Sequence, residues 1–213
     1  MAATPVEFWF DPACPWCWVT SRWITGIAEE RELEITWHAI SLAQKNDTQP
    51  DSPFYEPVQW TKRLLRVIES VKAEQGADAV AAMYTRFGTL IHHEGNFDFD
   101  LAAELEGLGI DAKHLAAFDD DSIDDVLRAQ MEDGLSLVGN DVGTPIIAVP
   151  GPDGGRVGLF GPVISKVPTG EDALGLWDGL LLMARTEGFW ELKRTRTVGP
   201  DMSTVDPATL DQR

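Results

Sequence analysis

The chain has 213 residues, enough for one large domain or a small domain carrying an insertion, so its fold needs no disulfide or metal staple. Lys and Arg number 17 against 35 Asp and Glu, a net charge of −18 that repels nucleic acid and anionic lipid. The longest apolar stretches, such as Leu180–Ala184, fall far below the roughly 20 residues that cross a bilayer, and Met1–Pro5 carries neither the basic nor the apolar part of an export signal. A cytoplasmic protein with no nucleic-acid or membrane partner is expected.

Val6–Phe10 is an apolar run of strand length, Asp11-Pro12-Ala13 a turn, and Pro15 opens a helix with Trp23, Ile24, Ile27 and Ala28 on one face. Leu33–Ile40 reads as a second strand, parallel to the first when the helix between them is a crossover. From about Pro53 to Val138 the apolar period is helical. Trp60, Leu64, Val67, Ile68 and Val71 form one stripe ended by Gly76. Asp78 is placed to cap a second, with Val80, Met83, Tyr84, Phe87, Leu90 and Ile91. Shorter segments follow around 101–105 and 113–118, and a last helix after Asp119-Asp120-Asp121 carries Ile123, Val126, Leu127, Met131, Leu135 and Val138. Thr144–Val149 and Arg156–Phe160, joined across Gly151–Gly155, form an antiparallel hairpin candidate. A final helix starts near Thr169–Glu171 and turns Ala173, Leu176, Trp177 and Leu180 inward. The order is βαβ, helical insert, ββα. It divides into a domain of residues 1–42 and 141–198, an insert of 43–140, and a tail, 199–213, expected to be disordered.

The chain has two cysteines, in Cys14-Pro15-Trp16-Cys17, and a bridge this short hardly constrains an unfolded chain. Chemistry or metal binding remains. A structural zinc site needs two further ligands, and His38, His92, His93 and His114 do not provide the spaced histidine pair of a zinc finger, so no metal site is assigned. The pair instead sits at a strand-to-helix junction. Pro15 suits the first helical position, which makes Cys14 the N-cap, where backbone N–H groups and the positive helix end favour a thiolate. Cys14 is therefore the expected nucleophile and the more covered Cys17 its resolving partner.

This order, with Cys-x-x-Cys at the first helix, resembles the DsbA family: an α/β thioredoxin fold with an all-helical domain inserted after the second strand. The family also has a cis-proline facing the disulfide, and Val142-Gly143-Thr144-Pro145 matches its pattern, which implies a cis Thr144–Pro145 bond. Phe8–Pro12, Cys14–Trp18, Thr20–Trp23, Gly161-Pro162-Val163, Ser165-Lys166 and Glu191–Thr197 are similar to the mycothiol-dependent nitroreductases of actinobacteria, a cytosolic, homodimeric group. The resemblance implies mycothiol as electron donor, no tightly bound cofactor, and small electrophilic or disulfide substrates. It places Asn46 and His92 near the site. Where the relatives have an aromatic on the insert, this chain puts Glu56 beside Tyr55.

Trp16 replaces the histidine that helps make exported DsbA enzymes oxidising, and it offers the thiolate no comparable proton donor, so a more reducing couple is expected. Trp9, Trp23, Trp37 and Trp177 read as core, and only Trp16 as part of a substrate site. His92-His93 otherwise reads as a solvated helix end. Lys193, Arg194 and Arg196 read either as a basic helix end with a solvated tail or as a site for an anion or a partner subunit. Two other functions share these features: a DsbA-type protein dithiol oxidase or isomerase, and a non-enzymatic zinc or protein-interaction module. Kappa-type glutathione transferases are disfavoured, because they use serine at the first cysteine position.

Overall fold

A computed structural model describes residues 3–210. The expected βαβ start is present as β1 (Thr4–Phe10), α1 (Pro15–Gly26) and β2 (Leu33–Ala39). β1 and β2 pair in parallel, with Phe8 opposite Trp37 and Trp9 opposite His38. β3 (Ile146–Pro150) runs antiparallel to β1, and β4 (Arg156–Phe160) antiparallel to β3, giving the order β2-β1-β3-β4. β1 is central and covered on both faces, which is why Phe8-Trp9-Phe10 reads as a continuous apolar run rather than an alternating one. Val6, Phe8 and Phe10 point into the main core with α1 and the helical insert, while Trp9 points the other way, onto Met131 and Leu135.

The insert comprises α2 (Leu42–Asn46), α3 (Tyr55–Gln75), α4 (Ala77–His92), α5 (Leu101–Gly107), a 3-10 segment (Ala112–Asp119) and α6 (Asp124–Val138). α3 and α4 are joined by Gly76 alone, whose φ of 83° suits glycine. Asp78 is not the cap: Gly76 holds that position, and Asp78 lies inside the first turn of α4. Arg66 on α3 forks onto Asp124, Nε to Oδ1 at 2.6 Å and Nη2 to Oδ2 at 2.9 Å, fixing the start of α6. α6 then lies on the sheet. Its Gly134 lets Trp9 come close, since a Cβ there would stand 2.7 Å from the indole nitrogen, and Trp9 Nε1 donates to the Gln130 carbonyl at 2.9 Å.

The insert docks on α1 through Gly88 of α4, where a Cβ would overlap the Trp18 indole. Trp18 is wholly buried, so it has no room to yield. Gly88→Ala is therefore expected to destabilise the fold by about 1–3 kcal/mol, or to swing α4 off α1, despite alanine's better helix propensity. A urea titration of the variant checks this; unchanged stability would mean that the docking is loose.

α7 (Gly170–Arg185) closes the thioredoxin-like part, with Trp177 against Trp23. Trp9, Trp23, Trp37 and Trp177 are all core. The tail corrects the expectation of disorder from residue 199. As far as residue 210 it is packed in two 3-10 turns, with Val205 only 4% exposed. Asp201 and Asp206 cap these turns, accepting from the N–H groups of Ser203 and Ala208. The Asp201 N–H donates to the Ser165 carbonyl at 2.7 Å, and Arg22 reaches the Thr209 carbonyl. The remainder of that tail, 211–213, lies outside the described residues.

Candidate active site

The loop between β1 and α1 is held by Asp11, which is wholly buried. Its Oδ1 accepts from the Ala13 N–H at 2.8 Å and its Oδ2 from the Leu42 N–H at 2.7 Å, while its carbonyl accepts from the Cys14 N–H at 3.0 Å. One side chain thus ties the cysteine loop to the start of α2. Burial pushes the Asp11 carboxyl up to about 6, against the hydrogen bonds from Leu42, Ala13 and Thr61 that favour its charge.

Cys14 is the N-cap of α1, with Pro15 in the first turn, and its Sγ accepts from the Cys17 N–H at 3.4 Å. Both cysteines are free thiols. Cys14 keeps 8% of its surface, whereas Cys17 has none and its Sγ lies 3.7 Å from the Trp9 carbonyl. The Thr144–Pro145 bond is cis, and the Thr144 carbonyl stands 3.9 Å from Cys14 Sγ. The Thr144 hydroxyl, buried and without a well-aligned partner, also sits where it favours a Cys14 thiolate.

The two sulfurs do not titrate as the cap position alone suggests. Burial pushes the Cys14 thiol up, outweighing the help of Thr144 and of the Cys17 and Trp16 amides, and the Asp11 charge adds to the rise. A few N–H groups do not replace the water removed from the sulfur. Burial and the neighbouring Cys14 push Cys17 up still further. Both shifts favour the thiol form over the thiolate, and the shift of Cys17 is the larger.

Two buried groups beneath Cys17 have no counterpart in the sequence reading. Arg22 is 2% exposed and faces no carboxylate among the described residues; it bonds Ser21 Oγ, Thr85 Oγ1 and the Thr209 carbonyl and lies 4.3 Å from the Trp18 ring centroid. Burial lowers its pKa to about 10, leaving it charged at neutral pH. The Tyr84 hydroxyl is near Cys17 and Ser21 without a well-aligned hydrogen bond to either. Thr20-Ser21-Arg22 looks like a polar interruption of an amphipathic helix, and partners distant in sequence explain it: Thr85 on α4 and Thr209 for Arg22, and Pro162 for Thr20. Gly161-Pro162 joins the site too: the Gly161 N–H donates to the Pro145 carbonyl and Thr20 Oγ1 to the Pro162 carbonyl, each at 2.8 Å.

The fold gathers Cys14, Pro15, Trp16, Cys17, Thr144, Pro145 and His92 around this loop. His92 Nε2 meets the Pro12 carbonyl at 2.8 Å, and its ring stacks with Trp18. Burial drives its pKa down to about 4, so His92 stays neutral and donates that bond. Trp18 Nε1 in turn donates to His93 Nε2 at 3.0 Å. His92 therefore anchors the loop and is not a solvated helix end, whereas His93, the exposed C-cap of α4, keeps that place and accepts from the Trp18 indole. Asn46, exposed at the end of α2, and Tyr55, at the start of α3, make no hydrogen bond or ring contact with the cysteine loop among the described residues.

A four-stranded sheet of this topology, with the helical insert after β2 and a Cys-x-x-Cys facing a cis-proline, defines a thioredoxin-fold oxidoreductase of the DsbA type. Within that class the chain belongs to the Rv2466c-like family, described as mycothiol-dependent nitroreductase Rv2466c, which it matches over residues 13–194. It is 29% identical over 199 residues to the uncharacterized protein Rv2286c of Mycobacterium tuberculosis, covering 91% of this chain and 83% of the relative. In fold it is similar to the cytosolic disulfide reductase DsbM from Pseudomonas aeruginosa (TM-score 0.56, 19% identity, 84% of this chain and 98% of that one). It is equally similar to the probable DsbA oxidoreductase SCO1869 from Streptomyces coelicolor (TM-score 0.57, 20% identity, 91% and 94%).

Proposed function

We propose that this chain is a thiol-disulfide reductase of the cytoplasm that takes electrons from a low-molecular-weight thiol, mycothiol, and passes them to small disulfides or electrophiles, nitroaromatics among them. The observation that carries this reading is the arrangement of Cys14: an N-cap sulfur, slightly open, opposite the Thr144 carbonyl, with the covered Cys17 one turn on. Family membership supports the donor and the nitroaromatic substrates.

In the reaction the Cys14 thiolate attacks one sulfur of a substrate disulfide, that S–S bond breaks, and the other sulfur leaves as thiolate. Cys17 loses its proton and attacks Cys14 Sγ, releasing the second substrate thiol and leaving the Cys14–Cys17 disulfide. Two electrons have then moved from protein to substrate. Two molecules of mycothiol restore the dithiol: one attacks Cys14 and frees Cys17, and the second takes the first away as mycothiol disulfide. Thr144 and Pro145 position the substrate sulfur against Cys14, Pro15 fixes the helix start, and Trp16 offers a flat apolar face. Asn46, Tyr55 and His92 remain candidates for the substrate side. Residues 1–42 and 141–198 act as the redox domain and 43–140 as its cover.

The direction of electron flow has a physical support. DsbA is oxidising because its reduced form is stabilised. Here burial and the Asp11 charge act against the thiolate, and Trp16, at the histidine's position, carries no charge of its own. The midpoint potential is expected in the range of reducing couples, about −200 to −270 mV, far from the roughly −120 mV of DsbA. Equilibrating the oxidised protein separately with mycothiol, glutathione and reduced thioredoxin, and counting the free thiols, tests potential and donor together. A potential near that of DsbA, or no reduction by any of the three, would move protein oxidation to the front.

No helix among the described residues is long and apolar enough to cross a membrane. The homodimer belongs to the same proposal, supported by Trp190, 88% exposed.

A further inference from the structure

Resting on the reading of Cys14 as the attacking thiol, we propose that Arg196, beside Trp16 and joined on the same exposed arm by the charges of Lys193 and Arg194, makes a cationic rim that selects anionic substrates. The sequence left these cations between a basic helix end and an anion site. The helix end is excluded by the fold: α7 stops at Arg185, and residues 190–199 have neither helix nor strand and lie exposed. The arm is fixed beyond them, where the Asp201 N–H meets the Ser165 carbonyl. Its course lays the Arg196 guanidinium 5.2 Å from the Trp16 ring centroid, between the two cysteines in sequence.

The charges of this chain make that placement informative. With 35 carboxylates and 17 Lys and Arg, cations readily find partners here. Arg31, Lys62, Arg66, Arg86, Lys113 and Arg156 are all paired. Lys193, Arg194 and Arg196 have no ion-pair partner among the described residues, although Glu191 lies in the same arm and Glu187 shortly before it. Arg196 also donates no hydrogen bond among the described residues, so its fork remains available to a carboxylate or similar anion, held in two-pronged geometry beside the indole. Elsewhere the acidic surface would repel such a molecule, so the rim sets where it can approach.

The test uses the reduced, full-length protein and two disulfide probes in stopped flow: the dianion 5,5′-dithiobis(2-nitrobenzoate) and the neutral 4,4′-dithiodipyridine. Either probe accepts two electrons. Cys14 sulfur attacks, one aromatic thiolate leaves, Cys17 closes the protein disulfide and expels the second, and the two thiol protons are released to buffer or product. At low salt, Arg196→Gln is expected to slow the dianion about tenfold and the neutral probe by less than about twofold. The Lys193→Gln/Arg194→Gln pair is expected to act in the same sense, and about 0.5 M salt should erase the difference because charge is then screened within a few ångströms. Because a changed Cys14 pKa would alter both probes, their ratio is the readout. Equal slowing of both, or of neither, overturns the anionic rim. Cys14→Ser separates the two levels: if it reacts with the probes as fast as the native protein, the reading of Cys14 fails before the rim is in question.

Discussion

Replacing Cys17 by serine is expected to leave one molecule of low-molecular-weight thiol bound to Cys14 per chain, and to stop turnover. The resolving step needs a sulfur at position 17 that can attack Cys14 Sγ, and a serine hydroxyl, whose proton is held far more tightly, does not replace it. Cys14→Ser removes the nucleophile itself, a change that in enzymes of this kind of covalent chemistry costs about 10⁴-fold or more. The two variants should therefore differ in kind: intact-mass measurement after exposure to oxidised mycothiol shows an adduct on Cys17→Ser and none on Cys14→Ser. Because Cys17 has no exposed surface, while Cys14 keeps a small opening, an adduct on residue 17 in the Cys14→Ser protein would reverse the assigned roles.

Asp11 gives the second large effect. Its carboxyl, ordinarily near 3.9, is pushed up to about 6 in the fold. A carboxyl whose pKa is raised by folding holds its proton more tightly in the native state, so its contribution is fully present below about pH 4 and is lost as pH rises through about 6. Two pKa units correspond to about 3 kcal/mol, an order-of-magnitude figure. Asp11→Asn, which like the protonated acid offers one acceptor and one donor, should be free of this loss. Urea titrations at pH 4 and pH 7 should show the variant gaining about 3 kcal/mol on the native protein between the two; parallel curves would sink the argument. Asp11→Ala strands the Ala13 and Leu42 amides and should cost about 2–4 kcal/mol. Since the Asp11 charge also raises Cys14 and Cys17, Asp11→Asn should move the alkylation profile of Cys14 to lower pH. The carboxylate thus costs stability at neutral pH relative to the protonated acid, and adds a smaller share to the burial that favours both thiols.

Much of this was legible in the chain because it rests on local patterns. Phe8-Trp9-Phe10 announces a strand covered on both faces, Pro15 announces the helix start that makes Cys14 a cap, and Gly76 announces the break between α3 and α4. Other features were not legible, because they depend on segments far apart in sequence. Asp11 reads as a turn residue until Leu42 is seen to donate to it, and His92 reads as a helix end until Pro12 is found beneath it. Arg22 reads as the polar side of a helix, yet Thr85 and the tail carbonyl of Thr209 take it inside. The tail reads as disordered from residue 199, yet Val205 is buried through packing against distant parts of the chain that no local pattern reveals.

The sequence by itself therefore determined the architecture, the family resemblance and the two cysteines proposed to react, because hydrophobic period, proline and glycine placement and cysteine spacing act over a few residues. Tertiary structure alone decided how those sulfurs titrate, which histidine supports the loop, and where the three cations of the arm lie. Desolvation and charge depend on everything packed around a group, and that environment is assembled from distant parts of the chain.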